Sequence, residues 1–164
     1  MNPEKQKFID NFRKNVKNRE KNIAIIGLGY VGLPLALTFS ENNFCVIGID
    51  IDQKKISKLN NKESYLKHIN ANRVSNAINS KKLIPTSDFS FVESCIAVIL
   101  CVPTPLSKNR EPDLRYIEKT FDSIKSFLKK GQLLSLESTT YPGTTEEVLM
   151  TQIKNLGFNV GEDF

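Results

Sequence analysis

The stretch that decides the fold runs from residue 22 to residue 50, NIAIIGLGYVGLPLALTFSENNFCVIGID. Asn22 to Ile26 is an isoleucine-rich run suited to a strand buried in a parallel sheet. Gly27-Leu28-Gly29-Tyr30-Val31-Gly32 follows at once and fits G-x-G-x-x-G. Leu33 to Phe39 is almost wholly apolar and starts a helix. Pro34 is tolerated there because first-turn residues have no intrahelical N–H bond to lose. Phe44 to Ile49 is a second apolar run, ending at Asp50, 18 positions after Gly32. The order is strand, glycine turn, helix, strand, acid.

That order has a chemical reading. Gly27 allows a tight strand-to-helix turn, Gly29 leaves room for a pyrophosphate against the backbone, and Gly32 lets the helix pack close to the strand. The helix N-terminus offers free N–H groups and the positive end of its dipole. Asp50 can accept hydrogen bonds from a ribose diol and would repel a 2′-phosphate, which favours NAD over NADP. The plainer alternative is a glycine turn without a ligand. The flanking strands, helix and acid favour dinucleotide binding.

A chain of 164 residues, 40% hydrophobic and 25% charged, fits one ordinary globular domain. No apolar run approaches the roughly 18 residues of a membrane span. The charged N-terminus has no apolar signal core, so a cytoplasmic protein is expected. The net charge of +5 is concentrated at the start: residues 1–21 hold seven Lys/Arg and three Asp/Glu. Phe8, Phe12 and Val16 recur there every four positions, so residues 1–21 are expected to form a basic amphipathic helix, ahead of a dinucleotide-binding domain over 22–164. A localised arm is not a broad nucleic-acid surface, and no nucleic-acid partner is expected. Cys45, Cys95 and Cys101 sit within or at the ends of apolar runs, as reduced, buried thiols do. With one histidine, His68, and no C-x-x-C, no metal site is expected. His68 reads as a surface or loop residue.

Further along, Asp52 to Asn61 reads as a helix, with Asp52 near its start. Lys55, one turn in, could reach the same ribose as Asp50 or be a solvated surface lysine. Residues 63–70 have no clean period. Residues 71–81 read as a short polar helix and Leu83 to Thr86 as a third strand, interrupted by Pro85. Ser94 to Val102 is the strongest later strand, stopped by Pro103-Thr104-Pro105. Ser107 to Pro112 is polar, and Asp113 is a candidate N-cap. Leu114, Ile117, Phe121, Ile124 and Leu128 form a helical stripe ended by Gly131. Gln132 to Leu136 is a fifth strand, followed by a polar turn over Glu137 to Thr145. In the next helix Glu146 and Glu147 suit the first turn, and Val148, Leu149, Ile153 and Leu156 make an apolar face. Gly157 is its C′ residue, and Phe158 to Val160 looks like entry to another strand.

Strands alternating with helices imply an α/β fold, a Rossmann-like doubly wound parallel sheet with helices on both faces. Ligands bind such sheets at the carboxyl ends of the strands. Four segments fall there: Gly27–Gly32, Asp50, Pro103–Pro105 and Ser138–Thr140. Pro103, Thr104 and Ser138 join the glycine loop as candidate cofactor contacts. Thr139 is the candidate at the reacting end, with turn capping as the plainer role for both threonines.

The residues resemble the N-terminal domain of the UDP-glucose/GDP-mannose dehydrogenase family. The resemblance rests on IGLGYVGLPLA (26–36), GIDID (48–52), ESYLKHI (63–69), TSDFS (86–90), CVPTPL (101–106), EPDL (111–114), LESTTYPGTTEE (136–147) and GEDF (161–164). The VPTPL and STTYPGTT stretches are far more specific than the glycine motif. They resemble the N-acetylhexosamine branch more than the UDP-glucose branch, where a lysine commonly stands at the Glu137 position. Asn70 departs from a proline expected after Ile69.

The resemblance implies that Gly27, Leu28, Gly29, Tyr30, Val31 and Gly32 hold the NAD pyrophosphate and that Asp50 with Lys55 holds the adenosine ribose. It implies that Thr104 lies near the nicotinamide half and that Thr139 orders a water or the C6 oxygen of a UDP-sugar substrate. The family oxidises that C6 alcohol to a carboxylate with two NAD, through a thiohemiacetal on cysteine, in polysaccharide precursor synthesis. Its nucleophilic cysteine has a Gly-x-Cys-x-Pro-like context that Cys45, Cys95 and Cys101 lack. The central helix, through which members commonly form homodimers, and the sugar-binding domain are also missing. The expectation is therefore a truncated NAD domain, inactive alone. A stand-alone NAD-binding or redox-sensing module is the alternative, disfavoured by the polar turn at Thr139. A hydroxyacid or 6-phosphogluconate dehydrogenase is disfavoured by VPTPL.

Overall fold

Five short apolar runs form one parallel sheet: β1 (Asn22–Ile26), β2 (Val46–Ile49), β3 (Leu83–Thr86), β4 (Cys95–Leu100) and β5 (Leu133–Leu136). The computed structural model describes residues 3–106, 112–162 and 164. The strand order is β3-β2-β1-β4-β5. The chain winds outward from β1 to β3, returns across the sheet, and continues on the other side of β1. Its topological switch point lies between β1 and β4. Ile26 pairs with Ile49 on one side and Leu100 on the other, so the three strands end level. Gly27, Asp50 and Cys101 therefore leave the sheet side by side.

Alternation along β1 divides the core between two faces. Ile23 and Ile25 pack with α2 (Gly32–Glu41), α3 (Gln53–Asn60) and α4 (Ala71–Asn79), while Ala24 and Ile26 pack with α5 (Arg115–Ile124) and α6 (Thr151–Asn155). Leu33 and Leu37 of α2 and Ile117, Phe121 and Ile124 of α5 are fully buried. Each such side chain contributes about 1.5–3 kcal/mol, so the two-faced core is the main force placing the strand ends. The N-terminal helix α1 (Pro3–Asn18) lies against this domain, with Phe12 on the α2-side core and Phe8 beside Gly131.

Polar side chains set the helix starts. Asp52 caps α3, its carboxylate accepting the Lys54 N–H at 2.9 Å. Asn70 caps α4 by accepting the Asn72 N–H at 2.9 Å, a bond that proline at this position would lack. Asp113 acts one residue earlier than expected. The cap position of α5 is Leu114, and Asp113 accepts from the Arg115 N–H at 3.1 Å.

Several expectations shift. α4 ends at Asn79 rather than residue 81. The last helix opens as a π-helical turn, Thr145–Met150, before α6, and Leu156 is exposed. Phe158 to Val160 forms no strand. Gly157 turns with φ +85°, and Phe158 folds back to pack its ring on Phe164 at 5.0 Å. Pro112 pairs with Leu106 in an isolated antiparallel bridge, while residues 107–111, with Glu111 of EPDL, and Asp163 of GEDF lie outside the described residues.

Candidate functional site

The turn leaving β1 is shaped by its outer glycines. Gly27 has φ +92°, and a Cβ there would stand 2.6 Å from the Cys101 carbonyl oxygen. A Cβ on Gly32 would lie 1.8 Å from the Gly27 oxygen. These two bring turn, helix and β4 into contact. Gly29 differs: a Cβ built there meets nothing within 4 Å, so its backbone faces open space. Among the described residues, the N–H groups of Gly29, Tyr30, Val31 and Gly32 donate to no protein acceptor. They are the orphan donors of a helix start, gathered where an anion can reach them.

Leu28 anchors this loop. Its side chain is fully buried and packs over Gly48 of β2, where a Cβ would come within 3.2 Å of it. Its N–H donates to Asp50 Oδ2 at 2.8 Å, and its carbonyl accepts the Tyr65 hydroxyl. All of its polar groups are thus committed within the protein. Asp50, at the end of β2, is 6% exposed. Its Oδ2 also accepts from Lys55 Nζ at 2.8 Å, and its Oδ1 from the Asp52 N–H at 2.9 Å. Three of the roughly four acceptor positions of a carboxylate are filled. Asp50 therefore ties the glycine loop to β2 and α3, with one acceptor position left.

At the other strand ends, the Thr104 hydroxyl donates to the Thr139 carbonyl at 2.6 Å and the Ser138 hydroxyl to the Val102 carbonyl at 2.8 Å. The Glu137 N–H continues the ladder to Leu100 at 2.8 Å. The two turns are sewn together, and the Thr139 side chain is exposed.

A cleft of about 300 Å³ opens over the switch point. Gly27, Gly29, Asp50, Lys55 and Pro103 line it, with Tyr116 and Thr120 of α5. Tyr30 and Val31 carry exposed side chains on the loop's outer side, and Thr104, Ser138 and Thr139 stand together at the adjoining ends of β4 and β5. An apolar groove of about 380 Å³ between α1 and β5, lined by Phe8, Phe12, Leu133 and Phe164, is separate from it. The strand-end cleft is bordered by Gly29 of the glycine loop and by the Asp50–Lys55 pair. His68 is exposed and stacks on Tyr30, ring centroids 5.8 Å apart. Cys101 also lines the cleft. Burial, with a smaller push from the Glu137 charge, raises its thiol to about 11. Burial raises Cys95 likewise to about 11. Neither is a thiolate near neutral pH.

Sequence reasoning missed Tyr65, Tyr116 and Thr120. Tyr65 lies in a loop without periodicity, and the other two occupy the polar side of α5, where nothing local distinguishes them from solvated residues.

The strand order, the glycine turn, the acid closing β2 and the open donors together define a Rossmann-type dinucleotide-binding domain. Residues 21–163 match the UDP-glucose/GDP-mannose dehydrogenase family, NAD binding domain, and the chain belongs to that family. It is 35% identical over 147 residues to UDP-N-acetyl-D-glucosamine 6-dehydrogenase of Pseudomonas aeruginosa, covering 89% of this chain and 34% of that protein. It is 34% identical over 143 residues to UDP-N-acetyl-D-mannosamine dehydrogenase of Pyrococcus horikoshii, covering 87% and 34%. The solved UDP-N-acetyl-mannosamine dehydrogenase Cap5O of Staphylococcus aureus superposes with a TM-score of 0.81 at 34% identity, over 87% of this chain and 34% of that one. The chain thus spans about a third of the length of the relatives it matches.

Proposed function

We propose that this domain serves an enzyme that oxidises the C6 alcohol of a UDP-N-acetylhexosamine to the carboxylate with two NAD, in the synthesis of surface-polysaccharide precursors. The observation that carries the reading is the switch-point cleft. The uncrowded Gly29 lines it at the head of a run of four unpartnered N–H groups, and Asp50, a carboxylate with one acceptor position left, lines it too. The residues fit NAD. In this reading the Gly29–Gly32 N–H groups hold the pyrophosphate, Gly27 and Leu28 shape the loop around it, and Asp50 with Lys55 takes the adenosine ribose. Pro103, Thr104 and Ser138 border the nicotinamide half. When bound, NAD supplies the hydride acceptor.

Thr139 holds the substrate's C6 oxygen or a water beside the reacting carbon, and Thr104 fixes the turn that presents it. The buried, protonated thiols of Cys95 and Cys101 are unsuited to covalent catalysis, and in this reading the 164 residues alone oxidise no sugar. The N-acetylhexosamine class is supported by relatives whose names divide between glucosamine and mannosamine substrates. A homodimeric, cytoplasmic enzyme without a nucleic-acid partner completes the proposal. Among the described residues no helix is long and apolar enough to cross a membrane.

The test is NADH formation by the full-length protein supplied with UDP-N-acetylglucosamine, UDP-N-acetylmannosamine and UDP-glucose in turn. Two NADH per molecule of one N-acetylhexosamine derivative is the expected result. Faster turnover of UDP-glucose overturns the substrate class. NAD binding with no turnover of any nucleotide sugar moves the protein to the redox-sensing reading.

A further inference from the structure

Tyr65 lies 37 residues from the glycine loop in sequence and in the segment between α3 and α4, yet its hydroxyl donates to the Leu28 carbonyl. The Leu28–Gly29 peptide carries that carbonyl and the Gly29 N–H on opposite sides of one rigid trans unit. Whatever holds the carbonyl also aims the N–H. Gly29 lines the cleft and Tyr65 does not, so Tyr65 grips the peptide from behind and the Gly29 N–H faces away from it. The preceding peptide is held independently, by the Leu28 N–H bond to Asp50. The Leu28 side chain is locked in the core over Gly48. Asp50 and Tyr65 together therefore clamp Leu28 at both of its polar ends.

We propose that Tyr65 is a positioning residue for the cofactor site, fixing the Leu28–Gly29 peptide so that the Gly29 N–H is preset to receive a pyrophosphate oxygen. The inference rests on the reading of the glycine loop as a pyrophosphate site and assigns a part of that site to a loop outside the motif. Without the hydroxyl, the peptide could rotate and the Leu28 carbonyl could turn toward the cleft, where it would meet phosphate as a second negative dipole. The hydroxyl suits the task because it stays protonated. Its burial and the charges of Asp50 and Asp52 hold its pKa well above the ordinary tyrosine value, so it donates throughout the physiological range.

The test is Tyr65→Phe in the 164-residue chain, which keeps the ring and removes one oxygen. Affinities for NAD, ADP and adenosine are measured by calorimetry, with urea unfolding as the check on the fold. The expected result is a loss of about tenfold for NAD and ADP, which carry the pyrophosphate, with adenosine unchanged and the urea midpoint little moved. A parallel loss for all three ligands indicates general loosening and overturns the positioning role. So does an affinity for NAD equal to that of wild type. A wild-type chain that binds ADP no better than adenosine overturns the pyrophosphate reading itself, and the Tyr65 proposal with it. The Gly29 amide resonance is a second measurement without ligand. It should shift in the variant by more than those of Val31 and Leu33, and an unmoved Gly29 resonance overturns the proposal.

Discussion

At the β1–β2 end of the cleft, Leu28 is held by its side chain, its N–H and its carbonyl, and Asp50 accepts three hydrogen bonds while almost wholly buried. At the β4–β5 end, two hydroxyl-to-carbonyl bonds join turns where the Thr139 side chain, proposed to meet the substrate, is exposed. The contrast matches the tasks proposed for the two ends. Pyrophosphate and ribose are the same in every catalytic cycle, so a rigid cradle loses nothing by being prebuilt. In the proposed reaction the other end would meet alcohol, aldehyde and carboxylate forms of a sugar in turn. It is sewn at the backbone and left open at the side chain.

The sharpest way to break this contrast is inside the glycine turn. Gly32→Ala puts a methyl against the Gly27 oxygen, a backbone atom that cannot step aside. We expect a loss of about 3–5 kcal/mol in urea unfolding, at the upper end for single substitutions. Gly29→Ala adds the same methyl in open space. It should unfold within about 0.5 kcal/mol of wild type yet bind NAD roughly 100-fold more weakly by calorimetry, because the methyl stands where a phosphate must approach the backbone. If both variants lose only stability, the turn is architecture without a ligand.

Asp50→Asn tests whether the cradle is held by charge. One oxygen can still accept from Leu28 or from Asp52, but not both in the present geometry, and Lys55 loses its counter-ion. A cost of about 1.5–3 kcal/mol is expected, the range for hydrogen bonds to a charged group. The preference for NAD over NADP should narrow in the same variant, since the charge that repels a 2′-phosphate is gone. An unchanged preference with reduced stability would confine Asp50 to holding the loop.

The β4–β5 end should respond differently. Thr104→Val removes one exposed hydroxyl bond to Thr139 and should cost about 1 kcal/mol or less. Thr139→Ala should leave both unfolding and NAD affinity near wild type and lower turnover in the full-length enzyme. A large loss of NAD binding from Thr139→Ala would place this residue in the cofactor cradle and erase the distinction between the two ends.

What could be read from the sequence follows the range of the interactions. β1, α2 and β2 are written as contiguous apolar runs around a glycine turn and appear in the fold as expected; the stripe from Leu114 to Leu128 is helical only in part, since α5 stops at Ile124 and a 3-10 turn over Lys125–Phe127 leads to an extended Leu128. The caps at Asp52 and Asn70 act within two residues. The distance between Asp50 and the glycine loop is bridged by strand pairing, and the motif's spacing carries that information. That Asp50 bonds the loop as well as facing the cleft depends on the pairing register, which no local pattern encodes. Tyr65 is harder still: its contact spans 37 residues through a loop with no period. The return of Phe158 onto Phe164 is a tertiary contact that overrode a local strand preference at 158–160, and no local pattern marks the π-helical opening at Thr145.

The smallest effect concerns how the β4–β5 end is braced. The Asp113 N–H donates to the Pro105 carbonyl at 2.8 Å, and its carboxylate takes the Arg115 guanidinium and the Arg115 N–H at the start of α5. The side-chain bonds to Arg115, then the backbone bond, hold the Asp113 carboxyl down at about 2. A depressed folded value means that the bracing is present above the ordinary aspartate value of about 3.9 and is lost as pH falls through the folded value. The Arg115 amide resonance should therefore titrate with a midpoint near 2 rather than near 4, and Asp113→Asn should abolish that step. Tyr116 and Thr120 of the same helix line the cleft, so their resonances should follow Arg115, while those of Gly29 and Leu28, held from the other side of the switch point, should not move with it. A shared midpoint across all of these residues would mean that the two ends of the cleft respond as one unit.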